Sequence, residues 1–270
     1  MCCIVHLKGS CSFSSAAVQQ FGYCNTTRLG VDTFAEVCQT VIKGAANIGV
    51  LPIENSLAGS IHQVYDLLTQ HKLTIIAETY VPIHLALMGC KGTTLQQIQS
   101  VVSHSKAIEQ CEQLFNKYPY WTKKMANSTD AAAKMVAAND ISTIAAIAAP
   151  KAAKQYNLEI LSNLVQDLSC NHTRFIAITS DKPTFNGNKI SLAITLPHSQ
   201  GSLLKLLTWI ARYEANLLKI ESRPIKNKPF EYQFYLDLRV KPKRISSILN
   251  SLKNKTITLQ HLGTFMEEKW

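Results

Sequence analysis

The 270-residue chain lacks the patterns that identify several large classes of protein. No stretch approaches about 18 uncharged apolar residues, so the sequence predicts no transmembrane helix. No G-x-G-x-x-G follows an apolar run and no Walker pattern occurs, which leaves nucleotide chemistry without its usual support. The G-x-S-x-G elbow that is typical of serine hydrolases is also missing.

Cysteine is present but shows no ligand spacing, because none of the eight residues forms a C-x-x-C pair. The N-terminus has no basic segment ahead of its short apolar run, so we expect no signal peptide and a cytoplasmic location. Reduced thiols are then expected rather than disulfides or a zinc site.

The composition, with 46% apolar and 17% charged residues, is typical of a globular protein and excludes a disordered or collagen-like chain. Residues 1–180 hold 13 Lys and Arg against 11 Asp and Glu, whereas residues 181–270 hold 15 against 7. This asymmetry predicts two modules. A basic module can bind nucleic acid, but no aromatic residues interleave for base stacking. We interpret the charge as a solvated face and expect no nucleic-acid or membrane partner.

A segment rich in Pro, Gly and Asn, residues 181–188, predicts a linker where the charge balance changes. Before it, short apolar runs predict strands over 48–53, 73–81, 101–103, 143–147 and 174–178. Amphipathic patterns predict helices over 14–21, 33–43, 58–70, 105–117 and 129–139. The alternation indicates an α/β domain with a mostly parallel sheet, long enough to split into two lobes around a cleft.

After the linker, the patterns predict a strand over 189–196, a helix over 201–213, strands over 216–222 and 232–240, a helix over 244–252 and a strand over 256–265. This βαββαβ order is that of the ferredoxin-like fold.

Two segments combine polar side chains with the end of an apolar run. Over residues 51–60, Ser56 or Ser60 would cap a following helix whose first N–H groups suit an anion. Over residues 166–178, Asn171, Thr173 and Arg174 lie at the mouth of a predicted strand. On the residues alone, helix capping explains the first pattern as well as an anion site does, and a simple polar turn explains the second better than a binding site.

The two segments, in this order, closely resemble the signatures of the prephenate dehydratase family, whose members make phenylpyruvate in phenylalanine biosynthesis. Residues 52–59 match P-I-E-N-S-x-x-G, and residues 166–175 match Q-D-x-x-x-N-x-T-R-F. Residues 103–111 match S-H-x-x-A-x-x-Q-C. After the linker, residues 201–203 and 221–224 resemble the ACT regulatory domain of these enzymes, so the resemblance spans essentially the whole chain.

The resemblance implies a catalytic domain over residues 1–180 with two α/β lobes, similar to type 2 periplasmic binding proteins. It implies a linker over 181–188 and a ferredoxin-like βαββαβ ACT domain over 189–270. Prephenate would be the substrate, and phenylalanine would bind the ACT domain at a contact between subunits and inhibit. A homodimer or homotetramer is expected, and neither a cofactor nor a metal is implied.

The reaction expels carbon dioxide and a ring hydroxyl from a substrate with two carboxylates. In the family the threonine of T-R-F assists the departing hydroxyl, which implies Thr173, and Arg174 offers a planar fork for a carboxylate. We expect these two residues to be catalytic. The expected substrate contacts are Asn55, Ser56, Ser12, Ser14, His104, Asn171 and Phe175. The expected phenylalanine site consists of Gly201, Ser202, Leu203, Asn216, Leu217, Glu221, Ser222, Arg223 and Pro224.

The chain departs from the family in its first loop, where G-P-x-G-T-F-S is expected and residues 8–14 read K-G-S-C-S-F-S. Lys8 and Cys11 replace two glycines, and glycine alone takes positive φ without a steric cost. The loop therefore has a changed shape, or the alignment shifts by one through Gly9. Residues 128–130 read Ser-Thr-Asp in place of Ser-Thr-Ala, and Ser105-Lys106 replaces Pro-Gln.

Two other functions fit the same fold. Arogenate dehydratase shares the signatures and differs in substrate, which side-by-side turnover of both compounds would resolve. A non-catalytic amino-acid sensor would explain the altered first loop, although the intact T-R-F favours an enzyme.

Overall fold

The computed structural model describes residues 2–9, 11–23, 26–182, 184, 186–225, 228 and 230–269. Its strands are β1 (Cys3–Leu7), β2 (Thr27–Val31), β3 (Ile48–Asn55), β4 (Gly59–Ser60), β5 (Thr74–Pro82), β6 (Ala86–Gly89), β7 (Ser100–Ser103), β8 (Thr122–Met125), β9 (Ile144–Ala148), β10 (Glu159–Ser162), β11 (His172–Thr179), β12 (Lys189–Thr195), β13 (Asn216–Pro224), β14 (Tyr232–Arg239) and β15 (Thr258–Phe265). Its helices are α1 (Phe13–Gln20), α2 (Phe34–Ile42), α3 (His62–His71), α4 (Ser105–Glu109), α5 (Glu112–Lys117), α6 (Thr129–Asn139), α7 (Lys151–Gln155), α8 (Ser202–Arg212) and α9 (Ile245–Lys253), with 3-10 turns at Leu95–Gln97 and Pro242–Arg244.

The first lobe is built on a sheet with strand order β2-β1-β3-β11-β5, and β4 pairs with β3. Strand β1 runs parallel to β2 and β3, whereas β11 runs antiparallel to β3 and β5. Because β3 and β5 both run antiparallel to β11, the strands β1, β2, β3 and β5 share one direction, and the expectation of a mostly parallel sheet fails only at β11 and the short β4. The chain re-enters this sheet at His172, opposite the end of β5 at Pro82, so β11 runs against its neighbours.

The second lobe is built on a sheet with strand order β10-β6-β9-β7-β8. Two neighbouring segments, residues 83–85 and 163–171, connect it to the first lobe. They are joined by backbone hydrogen bonds from Ile83 N–H to the Asn171 carbonyl (2.8 Å) and from Val165 N–H to the Leu85 carbonyl (2.9 Å). Two α/β lobes that are connected by two neighbouring segments fit the lobed arrangement of periplasmic binding proteins.

The third sheet has strand order β13-β14-β12-β15, with every pair antiparallel. Its elements follow the predicted order βαββαβ. Alternate residues of β12 serve two cores, as a pleated strand requires. Ile190, Leu192 and Ile194 pack with α8 and α9, while Ala193 joins a core shared with the first lobe. Residues 180–188 form no helix or strand where they are described, but Pro183 and Phe185 of the predicted linker lie outside the described residues.

Most elements predicted from the sequence are found, and two helices differ. The helix predicted over 58–70 begins at His62, because Gly59 and Ser60 form a strand paired with β3. The helix predicted over 105–117 is broken into α4 and α5. The Asp167 carboxylate accepts the N–H groups of Glu112 (2.8 Å) and Gln113 (3.0 Å), so it stabilises a second helix start at this position.

In the part of the chain that the structure describes, no helix is long and apolar enough to span a membrane. The same residues contain no group of three or more His, Cys, Asp or Glu side chains arranged to hold a metal ion.

Candidate active site

A cavity of about 510 Å³ lies between the first and second lobes. Aromatic and aliphatic side chains form much of its wall, and polar side chains come from the starts of several helices. An apolar cleft with a few convergent polar groups is the usual form of a small-molecule site. The lining residues used below are Lys8, Ser12, Phe13, Ser14, Pro52, Asn55, Ile83, Leu85, His104, Lys106, Gln110, Ser128, Thr129, Asp130, Thr173 and Phe175.

Strand alternation and one irregularity decide which side chains of β3 and β11 reach this cavity. Thr173 and Phe175 are two residues apart on β11, and both line it. The pairing with β3 shifts between Arg174, which lies opposite Glu54, and Phe175, which lies opposite Pro52. Such a bulge re-aims side chains beside a site. As a result, Pro52 and Asn55 line the cavity and Glu54 does not.

The Thr173 hydroxyl is held by Asn55 from the cleft end of β3. The Asn55 Nδ2 group donates to Thr173 Oγ1 (3.0 Å) and to Asn171 Oδ1 (2.7 Å). Asn55 Oδ1 accepts the N–H groups of Leu57 (3.1 Å) and Ala58 (2.9 Å), which fixes the orientation of the amide. Thr173 Oγ1 thus acts as an acceptor toward the protein. Its own proton has no acceptor among the described residues, so it is available to a molecule in the cavity.

Asn171 supports this arrangement from behind. Its side chain is fully buried and does not line the cavity, which differs from the expectation of a substrate contact. Asn171 Nδ2 donates to Gln110 Oε1 (3.0 Å), and Gln110 does line the cavity. Sequence reasoning missed Gln110, although the S-H-x-x-A-x-x-Q-C match contained it. Asn171 therefore connects Gln110 of the second lobe to Asn55 of the first.

The starts of three helices border the cavity: α1 at Ser12, α4 at His104 and α6 at Ser128. Each of these three side chains accepts an N–H of its own helix, and other first-turn N–H groups have no partner within the helix. Helix N-termini favour negative charge. The cleft therefore provides a setting for an anionic molecule, with Lys8 and Lys106 on its wall.

The predicted contacts Ser12, Ser14, His104, Asn55 and Phe175 all line the cavity, as does Thr173. Ser12 Oγ also donates to the Gly9 carbonyl (2.8 Å), so its hydroxyl serves the first loop as well as the helix. The roles of these side chains as ligands stay predictions.

Ser56, by contrast, does not line the cavity. Its hydroxyl accepts the His172 N–H (3.0 Å) and donates to the Cys170 carbonyl (3.2 Å). The expected substrate contact is therefore corrected: Ser56 ties the turn after β3 to the segment that leads into β11. The bulge that turns Asn55 into the cleft leaves the next residue directed at this segment.

Arg174 lies on the opposite face of β11 from Thr173 and does not line the cavity. Its side chain is 4% exposed, and its guanidinium contacts Glu78 (2.7 Å), Asp237 of β14 (2.5 Å) and Glu54 (3.5 Å). Burial alone would lower the pKa of Arg174, but the adjacent carboxylates of Asp237 and Glu78 raise it well above its usual value. The expectation that Arg174 binds a substrate carboxylate is contradicted, because its charge is used in this buried network.

The altered first loop contacts the second lobe. The Cys11 N–H donates to Asp130 Oδ1 (3.3 Å), and the Tyr156 hydroxyl donates to Asp130 Oδ2 (2.9 Å). Gly9 has φ of +120°, and neither Lys8 nor Cys11 has positive φ. The glycine that the loop requires is therefore Gly9, as the shifted alignment allowed. A Cβ at Gly9 would lie 2.9 Å from Asp130 Oδ2.

The residues predicted to bind phenylalanine lie in two places. Ser202 and Leu203, which follow Gly201 at the start of α8, line a cavity of about 460 Å³. None of the predicted residues of β13 lines this cavity. On β13, Glu221 bonds to Ser60 and Arg223 pairs with Asp66 (2.6 Å), and both partners belong to the first lobe. Asn216, Leu217, Ser222 and Pro224 are on the same strand. Within one chain, the described residues at the start of α8 and those on β13 do not form a common site.

The sequence model of the prephenate dehydratase family matches residues 4–183, which is more than half of the chain. The chain belongs to the prephenate dehydratase family. A bifunctional chorismate mutase/prephenate dehydratase from Enterobacter agglomerans is 31% identical over 95% of this chain and 68% of its own length. Arogenate dehydratase 3 from Arabidopsis thaliana, a chloroplastic protein, is 34% identical over 94% of this chain and 64% of its own length. The chain thus spans about two thirds of these relatives.

Several solved structures have the same fold as this chain. A prephenate dehydratase from Arthrobacter aurescens in complex with L-Phe is 29% identical, with a TM-score of 0.88 over 98% of this chain and 90% of that one. A protein described as GqqA, a novel type of quorum quenching acylase, is 25% identical, with a TM-score of 0.85 over 98% of this chain and 97% of that one.

Proposed function

We propose that the chain catalyses the decarboxylating dehydration of prephenate to phenylpyruvate. The observation that carries the proposal is the Thr173 hydroxyl, which faces the cleft and accepts a hydrogen bond from Asn55 that leaves its proton for a substrate oxygen. The family match and the names of the relatives support the same reaction.

The reaction requires only a few groups of the protein. The bond between the ring and its carboxylate breaks, and its electron pair enters the ring. On the opposite side of the ring, the C–O bond breaks and the hydroxyl leaves with its electron pair. A dianion thus gives phenylpyruvate with one negative charge, carbon dioxide and hydroxide. Aromatisation drives the reaction, so the protein has to hold two carboxylates and stabilise the departing hydroxide.

The cleft contains groups that hold the carboxylates and a group that stabilises the departing hydroxide. The Thr173 hydroxyl is too weak an acid to give up its proton freely, and it acts as a positioned donor whose hydrogen bond strengthens as charge develops on the leaving oxygen. The starts of α1 and α4, with Lys106, receive the carboxylates. Phe13, Ile83, Leu85 and Phe175 surround the ring with apolar surface, which excludes water from the reacting bond.

The test is turnover of prephenate at neutral pH, followed by the alkaline absorbance of phenylpyruvate, in the wild-type protein and in Thr173→Val. Loss of one such donor costs about 2.7–4 kcal/mol, so kcat should fall at least about a hundredfold. Asn55→Ala should lower kcat, and the double variant should be little slower than Thr173→Val alone, because the two groups act as a unit. Thr69→Val on α3 is the control and should keep wild-type kcat. An unchanged kcat in folded Thr173→Val would refute the assignment.

We infer that the third sheet with α8 and α9 is an ACT domain over residues 189–270 and that phenylalanine inhibits by binding to it. The βαββαβ topology and the Arthrobacter complex with L-Phe support this inference. Because Glu221 and Arg223 are paired with the first lobe, a site that joins β13 to Ser202 and Leu203 would need a second copy of the chain. A homodimer or homotetramer is proposed on that ground.

Millimolar phenylalanine should then raise the melting temperature and lower kcat, since a ligand that binds the folded state stabilises it. No change in either quantity would refute the regulatory site and leave the catalytic proposal standing. The cytoplasmic location stays a prediction.

A further inference from the structure

Asp130 is the acidic side chain on the cavity wall, and the proposed reaction on prephenate has no use for it. The residue is 7% exposed and lies in the first turn of α6. Its two oxygens accept the Cys11 N–H and the Tyr156 hydroxyl. No ion pair joins Asp130 to a Lys or Arg within the described residues, although Lys8 and Lys106 line the same cavity. Lys8 pairs with Asp32 and Lys106 with Glu109.

A carboxylate in this position changes what the cleft can hold. Prephenate has two carboxylates, and a third negative group on the wall opposes a dianion. Asp130 lies in the first turn of α6, at the end of the helix that attracts negatively charged groups. Asp130 thus occupies part of the space at the start of α6, while Ser14 in the first turn of α1 also lines the cavity.

Asp130 also lies across the cleft from the reacting hydroxyl. Thr173 is on the first-lobe sheet and Asp130 on a second-lobe helix, and both line one cavity. In substrates of this class, the departing hydroxyl and the three-carbon side chain occupy opposite ends of the ring. When Thr173 holds the hydroxyl, the side chain is directed away from Thr173, toward the opposing wall.

We propose that Asp130 is a specificity-determining residue that binds an α-ammonium group on the substrate side chain, so that the cleft favours arogenate over prephenate. This inference rests on the dehydratase function proposed above. Arogenate differs from prephenate by an ammonium in place of the keto oxygen, and the ammonium pairs with Asp130. The adjacent carboxylate of the same side chain is received by the start of α1.

Two departures from the family sequence are explained together by this assignment. In the resemblance described above, Asp130 stands at a position where the family pattern has alanine, and Cys11 belongs to the altered first loop. The two are in contact, because the backbone of Cys11 donates to Asp130 and its side chain packs in the second-lobe core. Tyr156 fixes the other carboxylate oxygen. The carboxylate is therefore oriented by both lobes.

The experiment compares kcat/KM for arogenate and for prephenate in the wild type, Asp130→Asn and Asp140→Asn. Asp140 is the exposed residue at the far end of α6, and with φ of +48° it accepts asparagine readily. In Asp130→Asn the ratio of arogenate to prephenate kcat/KM should fall at least about tenfold, as for a lost charged hydrogen bond. In Asp140→Asn the ratio should stay within about twofold. An unchanged ratio in Asp130→Asn would overturn the proposal.

Binding provides a readout that does not depend on turnover. Calorimetric titration of Thr173→Val should give tighter binding of arogenate than of prephenate, and adding Asp130→Asn should abolish that preference. If Asp130→Asn does not fold, Asp130→Ala, which restores the residue usual in the family, takes its place in both assays. A folded wild type that turns over neither compound would refute the proposed function. Equal affinity of the two compounds for Thr173→Val would refute the role of Asp130.

Discussion

Thr173 and Arg174 are neighbours in the chain, yet their side chains leave β11 on opposite faces of the sheet. Thr173 lines the cleft, whereas the Arg174 guanidinium lies 2.5 Å from Asp237 in the third sheet. Arg174 also contacts Glu78, which Lys189 of β12 approaches to 2.8 Å. One strand thus carries the proposed hydrogen-bond donor and a buried ion-pair network that joins the first lobe to the third sheet.

We expect Arg174→Met to reduce stability far more than catalysis. The substitution leaves Asp237 and Glu78 buried without their main partner, which costs about 3–5 kcal/mol of the free energy of unfolding. Because Arg174 does not line the cleft, kcat/KM measured well below the unfolding transition should fall less than about tenfold. Urea unfolding and steady-state kinetics with prephenate check the two parts.

The matched control is Lys228→Met, which removes an exposed pair with Glu231 and should leave the unfolding midpoint unchanged. A folded Arg174→Met protein whose KM rises a hundredfold would mean that Arg174 does reach the substrate.

The same network predicts a loss of stability in acid. Burial opposes ionisation of Asp237, but Arg174, Lys189 and Ser191 outweigh it and hold the pKa of Asp237 below its usual value. The unfolded chain, with a pKa of about 3.9 at this group, binds the proton first as pH falls. The stabilisation is therefore complete above about pH 4 to 5 and is lost as pH falls through the lower folded-state pKa.

The measurement is the free energy of unfolding in urea between pH 6 and pH 3. Below about pH 4, the slope for Asp237→Asn should be shallower than the wild-type slope, although the variant is less stable at every pH. Asp32→Asn removes an exposed carboxylate and should keep the wild-type slope. Parallel slopes for wild type and Asp237→Asn would show that Asp237 does not carry the effect.

The elements of the fold were largely predictable because they depend on local patterns. Runs such as 48–53 and 174–178 are buried strands in the structure, and the βαββαβ order after the linker is found as predicted. The reversed direction of β11 was not predictable in the same way. Strand β11 is antiparallel because the chain crosses to the second lobe and returns, and nothing in the composition of 174–178 encodes that path.

The site shows the same division between local and tertiary information. Alternation along a strand, which is visible in the sequence, already separates Thr173 from Arg174, and applying it would have excluded Arg174 from the cleft. The bulge in β3 places Asn55 rather than Glu54 on the cavity wall. It depends on pairing with β11 and has no signature in the local sequence. The contact between Cys11 and Asp130 joins residues of different lobes, so each departure from the family pattern was visible alone but not their contact.

That contact restricts substitution at Gly9 of the first loop. Gly9→Ala adds a Cβ at φ of +120°, placed 2.9 Å from Asp130 Oδ2 and 3.2 Å from Ser12 Cβ. Gly22→Ala is the matched control, because Gly22 also has positive φ (+77°) but has no heavy atom within 4 Å of the added carbon. Gly22→Ala should lose about 1–2 kcal/mol of stability from its backbone conformation, and Gly9→Ala should lose more.

A double-mutant cycle isolates the part that comes from Asp130. In an Asp130→Ala background the added carbon no longer meets a carboxylate oxygen, so Gly9→Ala should cost less there than in the wild type. Gly22→Ala should cost the same in both backgrounds, because it touches nothing. Thermal unfolding of the four proteins of each cycle gives the coupling energies. A coupling of zero between Gly9 and Asp130 would mean that the loop does not depend on Asp130, and the carboxylate would then be supported by Tyr156 of the second lobe and not by both lobes.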